Sequence, residues 1–154
     1  MELRDILSLD CTRCAVQETS KKKILELIAH MVAPKLGGVS RDDVFDSLLQ
    51  RERLGSTGIG LGIAIPHGRL SNASHPVAVL ITLESAIDFE AIDNQPVDII
   101  FALLVPENEP EAHLKTLQAV AQKLNNRDCC RKLRAAKTVD ELYHQFLESD
   151  ATCS

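Results

Sequence analysis

Hydrophobic residues recur at helical spacing in two segments of the first third of the chain. One segment follows Ser20 and stops at Pro34 and the pair Gly37–Gly38, and the other starts at Ser40 and ends near Arg53. Serine caps a helix and proline cannot continue one, so the pattern predicts two helices with a turn between them. Their predicted apolar faces are Ile24, Leu25, Leu27, Ile28, Met31 and Val32, and then Val44, Phe45, Leu48 and Leu49.

The same spacing predicts two helices in the last third of the chain. One begins after Pro110, and the other starts at Thr138, where Glu141 takes the position of a capping box. Their predicted apolar faces are Leu114, Leu117, Val120 and Leu124, and then Val139, Leu142, Phe146 and Leu147.

Short apolar segments rich in β-branched residues lie between these helices. Residues 77–83 and 97–105 predict buried strands, and residues 12–17 predict a further short strand. Helices followed by strands and then by helices are typical of a sheet covered by helices. We therefore expect an α/β fold, a single-domain sandwich over residues 1–154 with a central mixed β-sheet covered by α-helices.

The charge and hydropathy of the chain exclude several classes of function. Its 154 residues carry a net charge of −5, so the chain lacks the basic excess of a nucleic-acid-binding protein. No apolar run approaches the roughly 18 residues of a membrane span, and the first residues lack the apolar core of a signal peptide. We expect a cytoplasmic protein that neither binds nucleic acid nor inserts into a membrane. A small anion such as phosphate needs only a local positive potential and is not excluded.

The five cysteines form an odd set: Cys11, Cys14, Cys129, Cys130 and Cys153. In a chain without a leader, such a set indicates reduced thiols and not a disulfide framework. The sequence "CTRC" at 11–14 has the spacing of a metal or redox pair, but a zinc site needs a second pair. Structural thiols are therefore favoured over a metal or redox role, and we expect neither a metal nor a cofactor.

Residues 55–69, "GSTGIGLGIAIPHGR", hold five of the seven glycines and a single histidine, His67. Glycine permits sharp turns and the close approach of other groups. Pro66 fixes the backbone before the ring, and Gly68 is expected to turn the chain beside it. The stretch therefore predicts a segment that holds one imidazole in one place.

Other interpretations of this stretch stay open from the residues alone. It can be only a tight strand–turn–strand in which His67 has no function. Neither nucleotide-binding glycine motif is present, and a hydrolase that uses Ser56 as its nucleophile would lack the G-x-S-x-G elbow. Among the other histidines, His30 and His144 lie on predicted helices and His75 lies in a polar loop, where surface or structural roles are expected.

The run "GSTGIGLGIAIPHGRL" closely resembles the active-site signature of the fructose/mannitol-type enzyme IIA domains of the bacterial phosphotransferase system. The segments "AIDNQPVDIIFALLVPE", "HLKTLQAVAQKL" and "CCRKLRAAKTVDELY" extend the resemblance over nearly the whole chain. Within that family the chain looks most like the nitrogen-related branch, a regulatory branch in which no fused IIB or membrane domain is expected.

The resemblance implies a phosphocarrier. An upstream histidine-containing phosphocarrier protein, charged from phosphoenolpyruvate through a first enzyme, would give its phosphoryl group to Nε2 of His67. In the nitrogen-related branch, regulatory and potassium-transport proteins would then read the phosphorylation state. In a sugar-specific enzyme IIA the group would pass to a IIB domain and then to sugar. A regulatory binding module that keeps the fold without the chemistry is a third hypothesis.

The family's motif also implies roles for two residues far from His67 in the chain. Arg51 corresponds to an active-site arginine, whose guanidinium would offset charge on a phosphoryl oxygen. Arg53 is the alternative if the helix is rotated differently. His113 corresponds to the family's second histidine. Its place about one turn from a helix N-terminus favours a neutral ring that donates to phosphate and is not itself a nucleophile.

Three further residues match the motif as phosphate contacts. Gly68 would contribute through the backbone of its loop, and Ser56 and Thr57 would donate from their hydroxyls. For the two hydroxyls, a turn-stabilising role is equally open.

Overall fold

A computed structural model describes residues 3–108 and 110–148, without the side chains of residues 110–112. The strands are β1 (Leu7–Val16), β2 (Gly58–Gly60), β3 (Ile63–Ala64), β4 (His67–Leu70), β5 (Val77–Ile87) and β6 (Val97–Pro106). The helices are α1 (Leu3–Ile6), α2 (Lys21–Val32), α3 (Arg41–Leu54), α4 (Pro110–Leu124), α5 (Arg127–Ala135) and α6 (Val139–Glu148), and one 3-10 turn spans Ala33–Lys35.

The strands form one mixed sheet in the order β1-β5-β6-β3-β2. The central pair, β5 and β6, is antiparallel, and β1 runs parallel to β5. Both β3 and β4 run parallel to β6 and follow one another along the same edge of it, Ile63 opposite Ile99 and His67 opposite Leu103. The predicted mixed sheet is confirmed.

Helices cover both faces of this sheet, as predicted. Strand alternation directs Val79 and Ile81 into one buried cluster with α2 and α3, and Leu80 into a second cluster with α4, α5 and α6. In the second cluster the rings of Phe101 and Phe146 stack with their centroids 5.3 Å apart. Among the helices in the described part of the chain, none combines the length and apolar character that crossing a membrane requires.

The predicted helix starts are confirmed by their caps. At each start a side-chain oxygen, of Ser20, Ser40 or Thr138, accepts a hydrogen bond from the backbone N–H three residues later, at 3.1 Å. These bonds satisfy backbone donors that the first turn of a helix leaves without a partner. The predicted strands are also present, although β1 begins at Leu7, well before residue 12.

The helix α5 was not predicted. Asn126 caps it by accepting from the Cys129 N–H at 2.9 Å. Its buried residues are Cys129, Cys130 and Leu133, a thin apolar pattern that leaves little periodic signal. The capping asparagine is the feature from which its start could have been predicted.

The apolar face predicted for α4 is wrong at one position. Leu114 is 57 % exposed, whereas His113, Val120 and Leu124 are buried. The buried stripe therefore begins at His113, and Leu114 is rotated about 100° away from it. A histidine takes the position at the start of α4 that an apolar residue was expected to take.

The "CTRC" segment forms no metal or redox pair. Cys11 and Cys14 lie on β1, where residues three apart point to opposite faces of the sheet. Cys11 is buried in the cluster beneath α2 and α3, and Cys14 packs against the cluster on the other face. Within residues 3–108 and 110–148, no three His, Cys, Asp or Glu side chains are grouped so that they could hold a metal ion. Cys153 lies outside the described residues.

Candidate active site

An open cavity of about 640 Å³ lies at the sheet edge formed by β4, between α3 and α4. Its lining residues are Ser47, Gln50, Arg51, Leu54, His67, Gly68, Arg69, Leu103, Val105, Glu107, His113, Leu114 and Leu117. Of the six predicted site residues, four therefore meet here: Arg51, His67, Gly68 and His113. The other two, Ser56 and Thr57, do not line the cavity.

Both ring nitrogens of His67 have hydrogen-bond partners. Nδ1 is 2.9 Å from the carbonyl oxygen of Ile65, and Nε2 is 3.2 Å from Nε of Arg51. A guanidinium has donors only, so Nε2 must accept with its lone pair and the ring proton must be on Nδ1. His67 is thus the Nδ1–H tautomer, with its basic nitrogen directed at Arg51.

Arg51 reaches His67 from the last turn of α3. Its Nη1 also donates to the carbonyl oxygen of Gly55 at 2.8 Å, so the guanidinium is held at two points. Arg53 is exposed and does not line the cavity, because two residues along a helix place it on a different face. Of the two arginines considered from the sequence, Arg51 lines the cavity and donates to His67, and Arg53 does not line it.

The surroundings of His67 lower its pKa below the ordinary value. Burial is the largest cause, since the half-buried ring loses water that would solvate the charged form. The hydrogen bond to the Ile65 carbonyl and the Glu52 carboxylate raise the pKa of His67, whereas the positive charges of Arg51 and Arg69 lower it further. The imidazole is therefore neutral near pH 7 and keeps a nucleophilic lone pair on Nε2.

Gly68 does not turn the chain, contrary to the sequence prediction. It is a residue of β4 opposite Leu104, and its φ is not positive. A Cβ at this position would lie 2.2 Å from Ser47 Oγ and 3.2 Å from the Ser47 backbone carbon. The glycine therefore lets α3 approach β4, and Arg51 lies one turn after that contact.

The hydroxyls of Ser56 and Thr57 are bonded within the protein. Ser56 Oγ donates to the Phe89 carbonyl oxygen at 2.8 Å and accepts from the Gly58 N–H at 3.0 Å. Thr57 is buried and donates to the Glu52 carboxylate from both its hydroxyl and its backbone N–H. These bonds favour the turn-stabilising role and leave no Ser56–His67 pair for a hydrolase. Phosphate contact by either hydroxyl stays a prediction.

Three charged residues around the site were missed by the sequence analysis. Arg69 lines the cavity two residues after His67, on the same side of β4, which strand alternation could have predicted. Glu107 follows the end of β6 and also lines the cavity. Glu52 is buried because it continues the inward stripe of α3 at spacing four, so the same periodicity could have revealed it.

His113 meets His67 across the cavity from the first turns of α4. It is 5 % exposed, and α4 begins at Pro110, as predicted. A helix N-terminus attracts anions through its backbone N–H groups. The cavity thus combines a neutral nucleophilic nitrogen with the side chains of Arg51 and Arg69 and with His113 from the start of α4, a combination suited to a small anion.

Comparison with known proteins identifies the family of the chain. Residues 5–149 match the family model described as "Phosphoenolpyruvate-dependent sugar phosphotransferase system, EIIA 2". The chain belongs to the EIIA 2 family.

Proteins that are similar to the chain over nearly its whole length include nitrogen regulatory proteins. The one from Klebsiella oxytoca is 48 % identical over 150 residues, 97 % of this chain and 92 % of the relative. The one from Escherichia coli strain K12 is 46 % identical over 153 residues, 99 % and 93 % of the two chains. The crystal structure of nitrogen regulatory protein IIA-Ntr from Neisseria meningitidis superposes with a TM-score of 0.88 at 34 % identity, covering 92 % and 97 %.

Arg51 is expected to lower the pKa of His67, in addition to the larger effect of burial. In Arg51→Ala the repelling charge is lost and water reaches Nε2, so the pKa of His67 should rise towards its ordinary value. Titration of the ring by NMR measures the change. The pKa of His67 is lower in the folded protein than in the unfolded chain. The free energy of unfolding should therefore decrease as the pH falls below about 6.5. This decrease should be smaller in Arg51→Ala. Arg53→Ala is the matched control, and an equal rise there would contradict the assignment to Arg51.

Gly68→Ala is expected to push α3 away from β4. The added methyl group meets backbone as well as side chain, so the free energy of unfolding should fall by about 1–3 kcal/mol. Denaturant titration measures this loss. Gly37→Ala is the control, because a Cβ there meets nothing within 4 Å and φ is not in the left-handed region; its stability should change by no more than about 1 kcal/mol. Equal stability of the two variants would show that the close approach has no energetic weight.

Proposed function

We propose that the chain, as a single enzyme IIA-type domain over residues 1–154, carries a phosphoryl group on Nε2 of His67. The donor is an upstream histidine-containing phosphocarrier protein in the cytoplasm, and no metal or cofactor takes part. The phosphorylation state regulates nitrogen metabolism and potassium transport through the proteins that read it. Membership of the EIIA 2 family and the similarity to nitrogen regulatory proteins support this proposal.

The hydrogen bond from Arg51 Nε to His67 Nε2 is the observation that carries the proposal. It identifies Nε2 as the unprotonated nitrogen, and Nε2 is the atom that the resemblance implies as the phosphate acceptor. It also places a guanidinium next to the atom that would receive the phosphoryl group. Transfer depends mainly on positioning and on stabilising charge at the phosphoryl oxygens, and a guanidinium serves both needs.

The transfer step needs no external acid or base. Arg51 releases Nε2, whose lone pair attacks phosphorus while the nitrogen–phosphorus bond of the donor histidine breaks. The donor ring leaves with the electrons of that bond and keeps its own ring proton. His67 keeps its proton on Nδ1, and the Ile65 carbonyl stabilises the positive charge that the ring acquires. Arg51 and the N–H of His113 then donate to the phosphoryl oxygens.

The rim of the cavity is suited to a protein donor. Leu54 is 84 % exposed and Leu114 is 57 % exposed, and both line the cavity beside Arg51 and His113. Exposed apolar side chains around a charged centre are typical of surfaces that dock another protein. A phosphocarrier protein could therefore dock over His67 and exclude water from the transfer.

Mapping the phosphate tests the proposed function. With phosphoenolpyruvate, the first enzyme and the phosphocarrier protein, the label should appear on His67 and be absent when the carrier is omitted. The phosphoramidate bond should be lost in acid and survive in base. His67→Ala should abolish labelling, and His30→Ala, which changes an exposed histidine on α2, should not.

Three results, from this mapping or from assays of transfer and regulation, would contradict the proposal or favour another function. A label on Ser56 or Thr57 would contradict the mechanism. Discharge of the phosphate to a IIB domain and sugar would favour a sugar-specific enzyme IIA. Full regulatory activity in His67→Ala would favour a binding module that works by contact alone.

His113→Ala is expected to slow both gain and loss of phosphate while His67 remains the attachment site. Loss of one directed donor at a transferring group costs on the order of 10- to 1000-fold in rate. Rapid-quench time courses in both directions measure the effect, and His113→Gln should recover part of it because it keeps an N–H donor. Rates in His113→Ala that equal those of the wild type would make His113 a scaffold residue only.

A further inference from the structure

Glu52 is a buried carboxylate in the helix that carries Arg51. Its side chain is 3 % exposed and lies 2.7 Å from Nζ of Lys21. Thr57 donates to it from the backbone N–H, at 3.1 and 3.3 Å from the two oxygens, and from its hydroxyl. Removing a carboxylate from water is costly, and a buried ion pair is weak evidence for a role in stability. The position calls for another explanation.

The Thr57 held by Glu52 is connected to His67 through the backbone. The Thr57 carbonyl accepts from the Ile65 N–H at 2.9 Å, and the Ile65 carbonyl accepts from His67 Nδ1 at 2.9 Å. His67 Nε2 in turn accepts from Arg51, whose Nη1 donates to the Gly55 carbonyl. Both nitrogens of the imidazole are therefore linked, by separate routes, to the short segment 55–57.

A second anchor holds the same segment. Ser56 Oγ donates to the Phe89 carbonyl at 2.8 Å, and Nζ of Lys21 is 3.4 Å from that oxygen and 4.9 Å from the centroid of the Phe89 ring. Lys21 thus joins Glu52 and Phe89, so the contacts on Thr57 and on Ser56 belong to one cluster.

We propose that Glu52 is a positioning residue for His67: through Thr57 it fixes segment 55–57, which sets the orientation of both Arg51 and the Ile65 backbone and so keeps the imidazole proton on Nδ1. The inference rests on the proposed function for its effect on transfer, but not for its effect on the tautomer. It gives Thr57 the role of a structural link in place of a phosphate ligand.

The negative charge of Glu52 is essential to this role. Three donors converge on its oxygens: the Thr57 N–H, the Thr57 hydroxyl and the Lys21 ammonium. A carboxylate accepts all three, whereas glutamine offers one oxygen and turns an NH₂ group towards the remaining donors. Glu52→Gln should therefore release Thr57 or Lys21 and loosen segment 55–57.

The decisive measurement is the tautomer of His67, read from long-range ¹H–¹⁵N correlation spectra of the ring at neutral pH. The wild type should show Nδ1–H alone, and Glu52→Gln and Thr57→Val should show a mixture of the two tautomers. Thr57→Ser keeps the hydroxyl and should match the wild type. Glu90→Gln is the matched control, because Glu90 faces the same Lys21 at 3.7 Å with its side chain 77 % exposed.

Phosphate gain from the carrier gives the second readout. Glu52→Gln and Thr57→Val should be about 10- to 100-fold slower, as expected for a displaced reacting group, and Thr57→Ser should recover the rate. If Glu52→Gln and Thr57→Val both show Nδ1–H alone, the inference is overturned, whatever their rates of phosphate gain. Should Glu52→Gln fail to fold, Thr57→Val decides, since it keeps the shape of the side chain. A wild type that never accepts phosphate would refute the proposed function, and the tautomer comparison would still decide this inference.

Discussion

Arginine donates hydrogen bonds and accepts none, and this property of Arg51 determines the state of the imidazole beside it. Because Nε of Arg51 lies against His67 Nε2, the proton must be on Nδ1, where the Ile65 carbonyl receives it. Pro66 has no N–H, so the Ile65 carbonyl is the one hydrogen-bonding group of the peptide between Ile65 and Pro66. That carbonyl binds the ring. The contact is made because α3 approaches β4 closely at Gly68.

One face of helix α3 packs in the core, and another face lines the cavity. Val44 and Leu48 are fully buried, and Glu52 continues their stripe. Arg51 and Leu54 project at the cavity from the same turns. One helix thus carries the guanidinium, an apolar residue of the rim and the carboxylate that fixes segment 55–57.

Strong periodicity made most of the fold predictable. The caps at Ser20, Ser40 and Thr138, together with the apolar runs of β5 and β6, specify elements through local physics. The helix α5 was not predicted because two of its three buried residues are cysteines. Leu114 was wrongly assigned to the buried face of α4 because a histidine occupies the buried stripe there. These are the places where side-chain chemistry departs from the simple apolar pattern.

The sequence predicted some of the residues that the fold brings to the cavity, but not their geometry. The motif and its resemblance pointed to His67, Arg51 and His113, which the fold brings to one cavity. The strand conformation of Gly68 depends on its pairing with β6, a contact distant in sequence. The role of Glu52 likewise depends on Thr57 and Lys21, which approach it only in the folded chain. Local patterns carry no information of this kind.

The proposed function places a change of charge on a surface already suited to docking. The phosphoryl group carries about two negative charges at neutral pH, and the ring of His67 acquires one positive charge, so the transfer adds about one net negative charge to the cavity lined by Leu54, Leu114 and Arg51. Phosphorylation therefore makes the charge in this cavity more negative. A partner that docks there with an acidic surface is repelled by phosphorylation, whereas one with a basic surface is attracted. The two forms can therefore select different partners through electrostatics at the rim, without any rearrangement of the sheet or of the helices that cover it.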